Sequence, residues 1–461
     1  LLKKNGISAS VTLSNWMFLG SFEAFRNKML TEQDLYLLCD LGKGAFSAGS
    51  NLINASINVF RKTTPQTQNK NIAVRTYPPE EVKTDNGQVV RHEASLRAWS
   101  ERFHFDVQKL KGIEGWPLVY WWDETFLQRY LGAEKLGDLS DIRVGMQTAN
   151  NTRFLRKPYE VSKKIFISPP NTFPNVEKWV PYIKGAAGKC WIEPLSEILN
   201  WSTFPLEIHL IELNGKQRSR PQNSQFYFRQ GVAITAIGSQ ITARSHRYGS
   251  VFDVMGQSIF IYDHKVGLLN INSSIIKQIL SSLNPTIHFQ VGDIKKLPLF
   301  DVTDTEKIYK QLDIAFTKHE SHREASVEFK QPGPSCWKYA QEWAQTAVDR
   351  PENTPLPEYK PVYDSEPPTD HISYALGVAL GRFHPNGEGI IDPTKDDLSH
   401  ALKDGILFLN GTLDESDTSD GLGKPATAPL RAAWNLHGKH LTGKNANNLR
   451  NYLRERFFKD I

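Results

Sequence analysis

The sequence predicts a multidomain chain of mixed α/β and α+β class: the end of a doubly wound sheet, then a mixed β-rich domain, then a mainly helical one. Three observations lead there. The 461 residues are enough for two to four cores. The apolar pattern changes from strand–helix–strand, to short β-rich runs between Gly, Pro and Asn turns, to long helical stretches. The charge changes with it. Residues 141–250 hold 15 Lys/Arg against 7 Asp/Glu, a net of +8, and the remainder holds 40 against 43, a net of −3, which together make the overall +5. A basic block between near-neutral flanks is the footprint of a surface that docks a polyanion.

The predicted domains are 1–75, 76–140, 141–300 and 301–461. In the first, Gly6–Leu13 reads as a strand after the Asn5-Gly6 turn, Phe22–Leu30 as a short helix, and Tyr36–Cys39 and Ala55–Phe60 as strands. Strand, helix, strand, strand is one edge of a doubly wound sheet, too short to be a whole one. Residues 61–90 are polar, a linker or a β-excursion, and Glu93–Lys111 has a helical pattern. In the helical and aromatic connector, Trp116-Pro117, Tyr120-Trp121-Trp122 and Phe126–Tyr130 are expected to form a core seam between domains. The third domain carries β-rich runs at Lys164–Ile167, Trp179–Ile183, Leu206–Ile211, Phe226–Phe228, Val232–Ile237 and Ser258–Tyr262, then a helix at Ile275–Leu283 and a further run at Ile287–Gly292. The fourth carries helices at Thr305–Ala325, Trp337–Val348, Ile372–Arg382, Asp397–Leu407, Leu430–His437 and Asn447–Phe458, with an acidic loop at Asp414–Asp420.

Several chemistries are excluded. Three scattered cysteines, Cys39, Cys190 and Cys336, make neither a disulfide scaffold nor a four-thiolate zinc site, and they fit a reducing cytoplasm. No run of eighteen apolar residues exists, so no membrane partner is expected. Gly42-Lys43-Gly44 lacks the spacing and hydroxyl of a phosphate-binding loop, and no Gly-x-Ser-x-Gly elbow is present. His288, His371, His384 and His400 stand isolated. Ser168-Pro169-Pro170-Asn171 approaches the Asp/Asn/Ser-Pro-Pro-aromatic motif that grips a flipped base, but its fourth residue has no ring, so it reads as a proline turn. No residue of the chain is given a catalytic, cofactor-binding or metal-binding role.

Recognition residues are easier to find. Gly145 to Phe154 is an Asn-rich loop carrying Gln147, Thr148, Asn150, Asn151 and Arg153. Asn and Gln can pair bidentately with adenine, while Arg and Lys favour guanine or phosphate. Arg229 to Thr235 and the run Arg244 to Arg247 place arginines beside small polar residues in β-rich surroundings. Together within the basic block they point to nucleic-acid contact.

At these residues the chain resembles a family. Asn15-Trp16-Met17-Phe18-Leu19, Phe22-Glu23, Phe25-Arg26 and Asp40-Leu41-Gly42 are similar to the segment that follows the catalytic Asn-Pro-Pro-Tyr in large adenine-specific DNA methyltransferases of the type IIG and BREX PglX kind. Trp116-Pro117 with Tyr120-Trp121-Trp122 resembles the family's inter-domain stretch. Gly145 to Phe154 resembles its Gly-x-x-Thr-Gly-Asn-Asn-x-x-Phe loop, with Ala149 where Gly is usual. Trp179 to Gly185 with Trp191 resembles its Pro-Tyr-x-Lys-Gly-Gly element, with Ala186 for the second Gly. Gly231 to Thr235 with Arg244, then Asn284-Pro285-Thr286 with Gly292-Asp293-Ile294 and Leu297-Pro298, and finally Ser373-Tyr374 with Gly381-Arg382 continue the series in order.

The resemblance implies an enzyme class that flips adenine out of double-stranded DNA and methylates its N6 from S-adenosylmethionine. The first domain would then be the C-terminal part of a Rossmann-like class I methyltransferase domain, and residues 141–300 a target-recognition domain. The chain opens Leu1-Leu2-Lys3-Lys4 without methionine, so the catalytic motif and the cofactor loop are expected upstream and the chain alone is expected to be inactive. The implied partners are duplex DNA, the N-terminal methyltransferase half and other defence-system subunits. Target recognition carries over onto Gly145, Gln147, Thr148, Asn150, Asn151, Arg153, Lys184, Arg229, Thr235 and Arg244, with Arg247 beside them. The two Gly-to-Ala departures bear on loop geometry, because Gly there would permit positive φ or close backbone approach. The competing reading is a stand-alone, non-catalytic DNA-specificity or interaction subunit of a DISARM-like or restriction system.

Overall fold

A computed structural model describes residues 3–43, 54–65, 70–76, 101–161, 179–186, 188–201, 212–213, 216–217, 219–380, 424–441, 443 and 447–461. The chain divides into two compact units, Leu1–Asp138 with Gln278–Phe300, and Leu139–Lys277 with Asp301–Ile461. Three mixed sheets carry the α/β and α+β character that the sequence predicts.

The first unit holds β1 (Ile7–Leu13), β2 (Asp34–Lys43), β3 (Asn54–Arg61), β4 (Asn71–Arg75) and β5 (Glu101–Phe105) in the order β1-β3-β2-β4-β5. Only β2 and β4 run parallel, and the other pairs are antiparallel. The helix predicted over Glu93–Lys111 is overturned at its described end. Glu101-Arg102-Phe103-His104-Phe105 alternates, Phe105 is buried, and the strand pairs along all of β4.

The aromatic connector is core. Tyr120 meets Phe103 and Trp121 edge-on at 5.2 and 4.8 Å, and its hydroxyl donates to buried Asp40 at 2.9 Å. The helix Glu23–Glu32 is anchored through Arg26, which is buried and donates to the carbonyls of Trp16 (2.7 Å) and Gly115 (2.9 Å). Burial lowers its guanidinium to about 10. Residues 278–300 close this unit. The Asn284 side chain accepts from the Thr286 amide (3.0 Å) and donates to Asp293 (2.8 Å), while Asp293 caps the helix Val291–Lys295. The run expected at Ile287–Gly292 gives only its last two residues, Val291 and Gly292, to this helix.

The second unit holds β6 (Ser140–Arg143), β7 (Leu155–Arg156), β8 (Trp179–Ile183), β9 (Trp191–Ile192), β10 (Glu197–Asn200), β11 (Glu212–Leu213), β12 (Lys216–Gln217), β13 (Val232–Ile234), β14 (Ala243–Ser245), β15 (Val251–Phe252) and β16 (Ser258–Ile261). One sheet runs β15-β8-β10-β7, another β6-β16-β13-β14-β9, and β11-β12 is a small hairpin. Their shared core includes Met146, Phe154, Val180, Leu199, Ala233 and Phe252. The strand expected at Phe226–Phe228 is instead the 3-10 turn Ser224–Phe226, since Asn223 and Phe228 both adopt left-handed φ that a strand cannot accommodate. The helix His264–Asn272 is locked to β14 by Asn272, whose amide pairs both ways with the Ala243 backbone at 3.0 and 2.9 Å. Helices Thr305–His322 and Trp337–Val348 follow where the sequence places them. Pro368–Ala379, Lys424–His437 and Leu449–Glu455 share a separate core around Ile372, Leu430 and Tyr452.

The runs expected at Lys164–Ile167, Ser168–Asn171, Leu206–Ile211, Asp397–Leu407 and Asp414–Asp420 lie outside the described residues. Among the described residues no helix is long and apolar enough to cross a membrane.

Candidate nucleic-acid interface

The Asn-rich loop leaves β6 at Gly145, where the backbone is pressed against β15. The Met146 amide donates to the Phe252 carbonyl at 2.7 Å, and a Cβ on Gly145 would stand 1.9 Å from that same oxygen. Gln147 and Arg220 exchange backbone bonds at 3.0 and 2.9 Å, and the Gln222 and Asn223 side chains donate to the Gly145 and Val144 carbonyls. Ala149 sits at φ +60°, the left-handed conformation for which Gly is suited. Asn150 then caps the short turn Asn151–Phe154, its side-chain Oδ1 accepting from the Arg153 amide at 3.0 Å, and Phe154 plugs the core. The loop therefore presents Gln147, Asn150, Asn151 and Arg153 to solvent, while Gly145 and Thr148 are buried beneath it.

A second loop, Lys184-Gly185-Ala186, follows β8 and is held from below by Arg244. The Arg244 side chain is fully buried. It donates to the Glu193 carboxylate, to the Thr235 hydroxyl (2.8 Å) and to the carbonyls of Lys184 (3.2 Å) and Ala186 (3.4 Å). Lys184, Thr235 and Arg244 are thus brought together, but the expectation that Arg244 and Thr235 touch DNA is corrected: both are enclosed and their polar atoms are already bonded to protein. Gly185 has the freedom its place requires, since a Cβ there would lie 2.7 Å from the Met255 carbonyl. Ala186, the second departure from the family pattern, is not among the left-handed residues.

Arg247 is corrected in the same way. It is buried, with its guanidinium on Glu328 (2.5 and 2.6 Å) and Asp313 (3.0 Å) and over the Phe316 ring at 5.3 Å. Arg229 differs. It is exposed and lies over the Phe226 ring at 5.0 Å, with Arg143 against the same ring at 5.0 Å. Its carbonyl meets His246 Nδ1 at 3.1 Å, and His246 Nε2 meets Ser258 at 3.1 Å. Burial pushes His246 down to about 4, so it is a neutral strut in this basic region.

The exposed residues share a support. Asp253 accepts from Tyr182 at 3.3 Å and caps its own turn through the Met255 amide at 2.6 Å. Burial pushes its carboxyl up, and the Met255 amide and Lys184 pull the other way. Asp253 also bridges to Met146, and the Ala236 amide reaches the Met255 carbonyl. The turns around residues 146, 184, 236 and 254 therefore converge at one end of the two sheets. Sequence reading missed Glu193, Asp253 and His246, whose importance comes from long-range burial; an acid lying about fifty residues from a buried arginine carries no local pattern. Among the described residues no group of three or more His, Cys, Asp and Glu is arranged to hold a metal. In the first unit, the buried acid Asp40 of β2 accepts from the Tyr120 hydroxyl at 2.9 Å and from the Gly42 amide at 3.2 Å.

Comparison with known proteins gives this arrangement a context. The chain is 30% identical over 316 residues to the adenine-specific methyltransferase PglX of Lacticaseibacillus casei (strain Zhang), a match covering 65% of the chain and 26% of that protein. The chain is a homologue of adenine-specific methyltransferases. BrxX of Escherichia coli O9:H4 (strain HS), another adenine-specific methyltransferase, is 27% identical over 322 residues, covering 68% of the chain and 25% of that protein. The chain thus spans about a quarter of the length of these curated relatives. No family model matches it. Among solved structures, the type IIL restriction-modification enzyme MmeI in complex with DNA is similar over 76% of this chain and 48% of its own, at 12% identity and a TM-score of 0.39. The type IIG restriction endonuclease BpuSI is similar over 67% and 42%, at 8% identity and a TM-score of 0.28. Among the described residues, the Asn-rich loop carries exposed Gln147, Asn150, Asn151 and Arg153, and half-buried Lys184 sits above the buried Arg244 network.

Proposed function

We propose that the chain carries DNA target recognition for site-specific adenine-N6 methylation in a BREX-like defence or restriction-modification system. The observation that carries this reading is homology to adenine-specific methyltransferases, in a chain whose basic region exposes Gln147, Asn150, Asn151, Arg153 and Arg229, with half-buried Lys184, around two packed sheets. Asn and Gln suit the adenine edge in the major groove, while Arg and Lys suit guanine or phosphate. Arg244 positions the Lys184 loop, and Arg247 ties the β-rich domain to the helix Thr305–His322. Base flipping and methyl transfer belong in this reading to a catalytic segment that also holds S-adenosylmethionine, and no residue of this chain is given either task.

Binding of a fluorescent duplex by the chain tests the reading. Affinity is expected to fall steeply between about 50 and 200 mM salt, because phosphate contacts release counterions. Arg229→Ala is expected to weaken binding by about 1–3 kcal/mol if that arginine reads a base. An affinity that salt leaves unchanged, or that Arg229→Ala leaves unchanged together with Lys184→Ala, would contradict it.

A further inference from the structure

Past the Lys184 loop, Gly188 turns the chain at φ +77°, a conformation suited to glycine. Lys189 and Cys190 then lie across from the helices Thr305–His322 and Trp337–Val348. Between them is a solvent-open cleft of about 310 Å³, within the range of small-molecule sites. One wall is aromatic. Phe316 and Trp337 meet edge-on with ring centroids 4.9 Å apart, Phe316 buried and Trp337 half-buried.

The polar lining is weighted toward donors. Glu320 is buried and its carboxylate is already engaged, accepting from Arg323 at 2.9 and 2.8 Å and from the Ser326 hydroxyl at 2.8 Å. Burial works against its charge, but Arg323 and Ser326 hold the carboxyl below its ordinary value. Arg323 uses two of its five N–H groups in this pair. The Lys189 ammonium, the Gln341 amide and the Trp337 indole N–H make no hydrogen bond to protein among the described residues. Burial also displaces two further lining groups, the Cys190 thiol upward and the His319 imidazole downward. Displaced titratable groups gathered in a cleft mark candidate functional sites.

We infer that this cleft binds a phosphate-bearing aromatic ligand of mononucleotide size. Lys189 and the remaining Arg323 N–H groups suit the phosphate, whose oxygens match a guanidinium fork. The Trp337 ring offers a stacking surface that any base can use. Gln341 offers both a donor and an acceptor to the base edge. Such a ligand is either a free nucleotide or one nucleotide of a DNA strand. The cleft shares no residue with the recognition surface proposed above, so the two stand or fall separately.

Cys190 lines the cleft and reports its occupancy, Cys39 in the other unit is the internal control, and Cys336 is buried. Maleimide labelling of the chain is run at alkaline pH, because burial raises the thiols, and assigned by peptide mass spectrometry. The probes are the 5′-monophosphates of adenosine, cytidine, guanosine and uridine. At about ten times its Kd, a nucleotide that fills the cleft is expected to slow Cys190 about tenfold relative to Cys39. Lys189→Glu changes an exposed side chain and is expected to raise the concentration needed by at least about tenfold. The matching nucleoside, without phosphate, and ribose 5-phosphate, without a ring, are each expected to protect more weakly. A single-stranded oligonucleotide that protects at lower concentration than the mononucleotide assigns the ligand to DNA; one that does not assigns it to a free nucleotide. Labelling of Cys190 that no mononucleotide slows would overturn the proposal. So would a nucleoside that protects as well as its nucleotide, or protection that Lys189→Glu leaves unchanged.

Discussion

Replacing Arg244 with alanine leaves the Glu193 carboxylate buried without its counter-charge and releases the Lys184 loop. Breaking a buried pair from one side costs about 3–5 kcal/mol, so Arg244→Ala is expected to lower stability by that amount in denaturant unfolding; an exposed DNA-reading arginine would instead leave unfolding nearly unchanged. Ala149 holds left-handed φ where a side chain costs about 1–2 kcal/mol. Ala149→Gly therefore exchanges that strain for a more flexible unfolded chain and is expected to stabilise by up to about 1 kcal/mol. His246 supplies a pH dependence. Its folded form titrates at about 4, against about 6.5 when unfolded. Above pH 6.5 both states are neutral and its contribution is fully present; as pH falls from 6.5 toward 4 only the unfolded state gains the proton, and stability is lost, by up to about 3 kcal/mol. Unfolding midpoints at pH 7.5 and 4.5 are expected to differ less in His246→Gln than in the native chain, with a remaining difference from half-buried His264 and His319, which desolvation also pushes down.

At the scale of elements, the decisive contacts join loops to strands. Gly145 lets the Asn-rich loop leave β6 in contact with the Phe252 carbonyl, and any Cβ would drive the two backbones apart. Gly145→Ala is expected to cost about 3 kcal/mol, the upper end of overpacking, and to weaken DNA binding, because the displaced loop carries Gln147 and Asn150. Binding unchanged in a folded Gly145→Ala protein would remove this loop from the interface. Elements with a strong local pattern were legible in the sequence: β1, the helix Glu23–Glu32, and Trp337–Val348, found residue for residue. Glu101–Phe105 was not, because a helical pattern running through it masked a strand that only pairing with β4 stabilises. At the candidate site, the sequence pattern could not separate exposed Arg229 from buried Arg244 and Arg247. All three are arginines beside small polar residues, and only partners 51 to 81 positions away decide which is enclosed.

At the scale of the whole chain, a basic region and a homology to adenine-specific methyltransferases meet in one account. The net +8 of residues 141–250 is smaller in effect than its sum suggests, since Arg247 is buried against Glu328 and Asp313, which lie outside the stretch. Among the described residues, Arg153 and Arg229 are exposed and Lys184 is half-buried. The most direct test of target recognition is to map N6-methyladenine in a host that lacks it, expressing the full-length methyltransferase with its own residues 141–277 or with the matching stretch of a homologue. Methylation is expected at one defined sequence that changes to the donor's sequence on exchange. Absence of N6-methyladenine, or a methylated sequence that the exchange leaves unaltered, would contradict it.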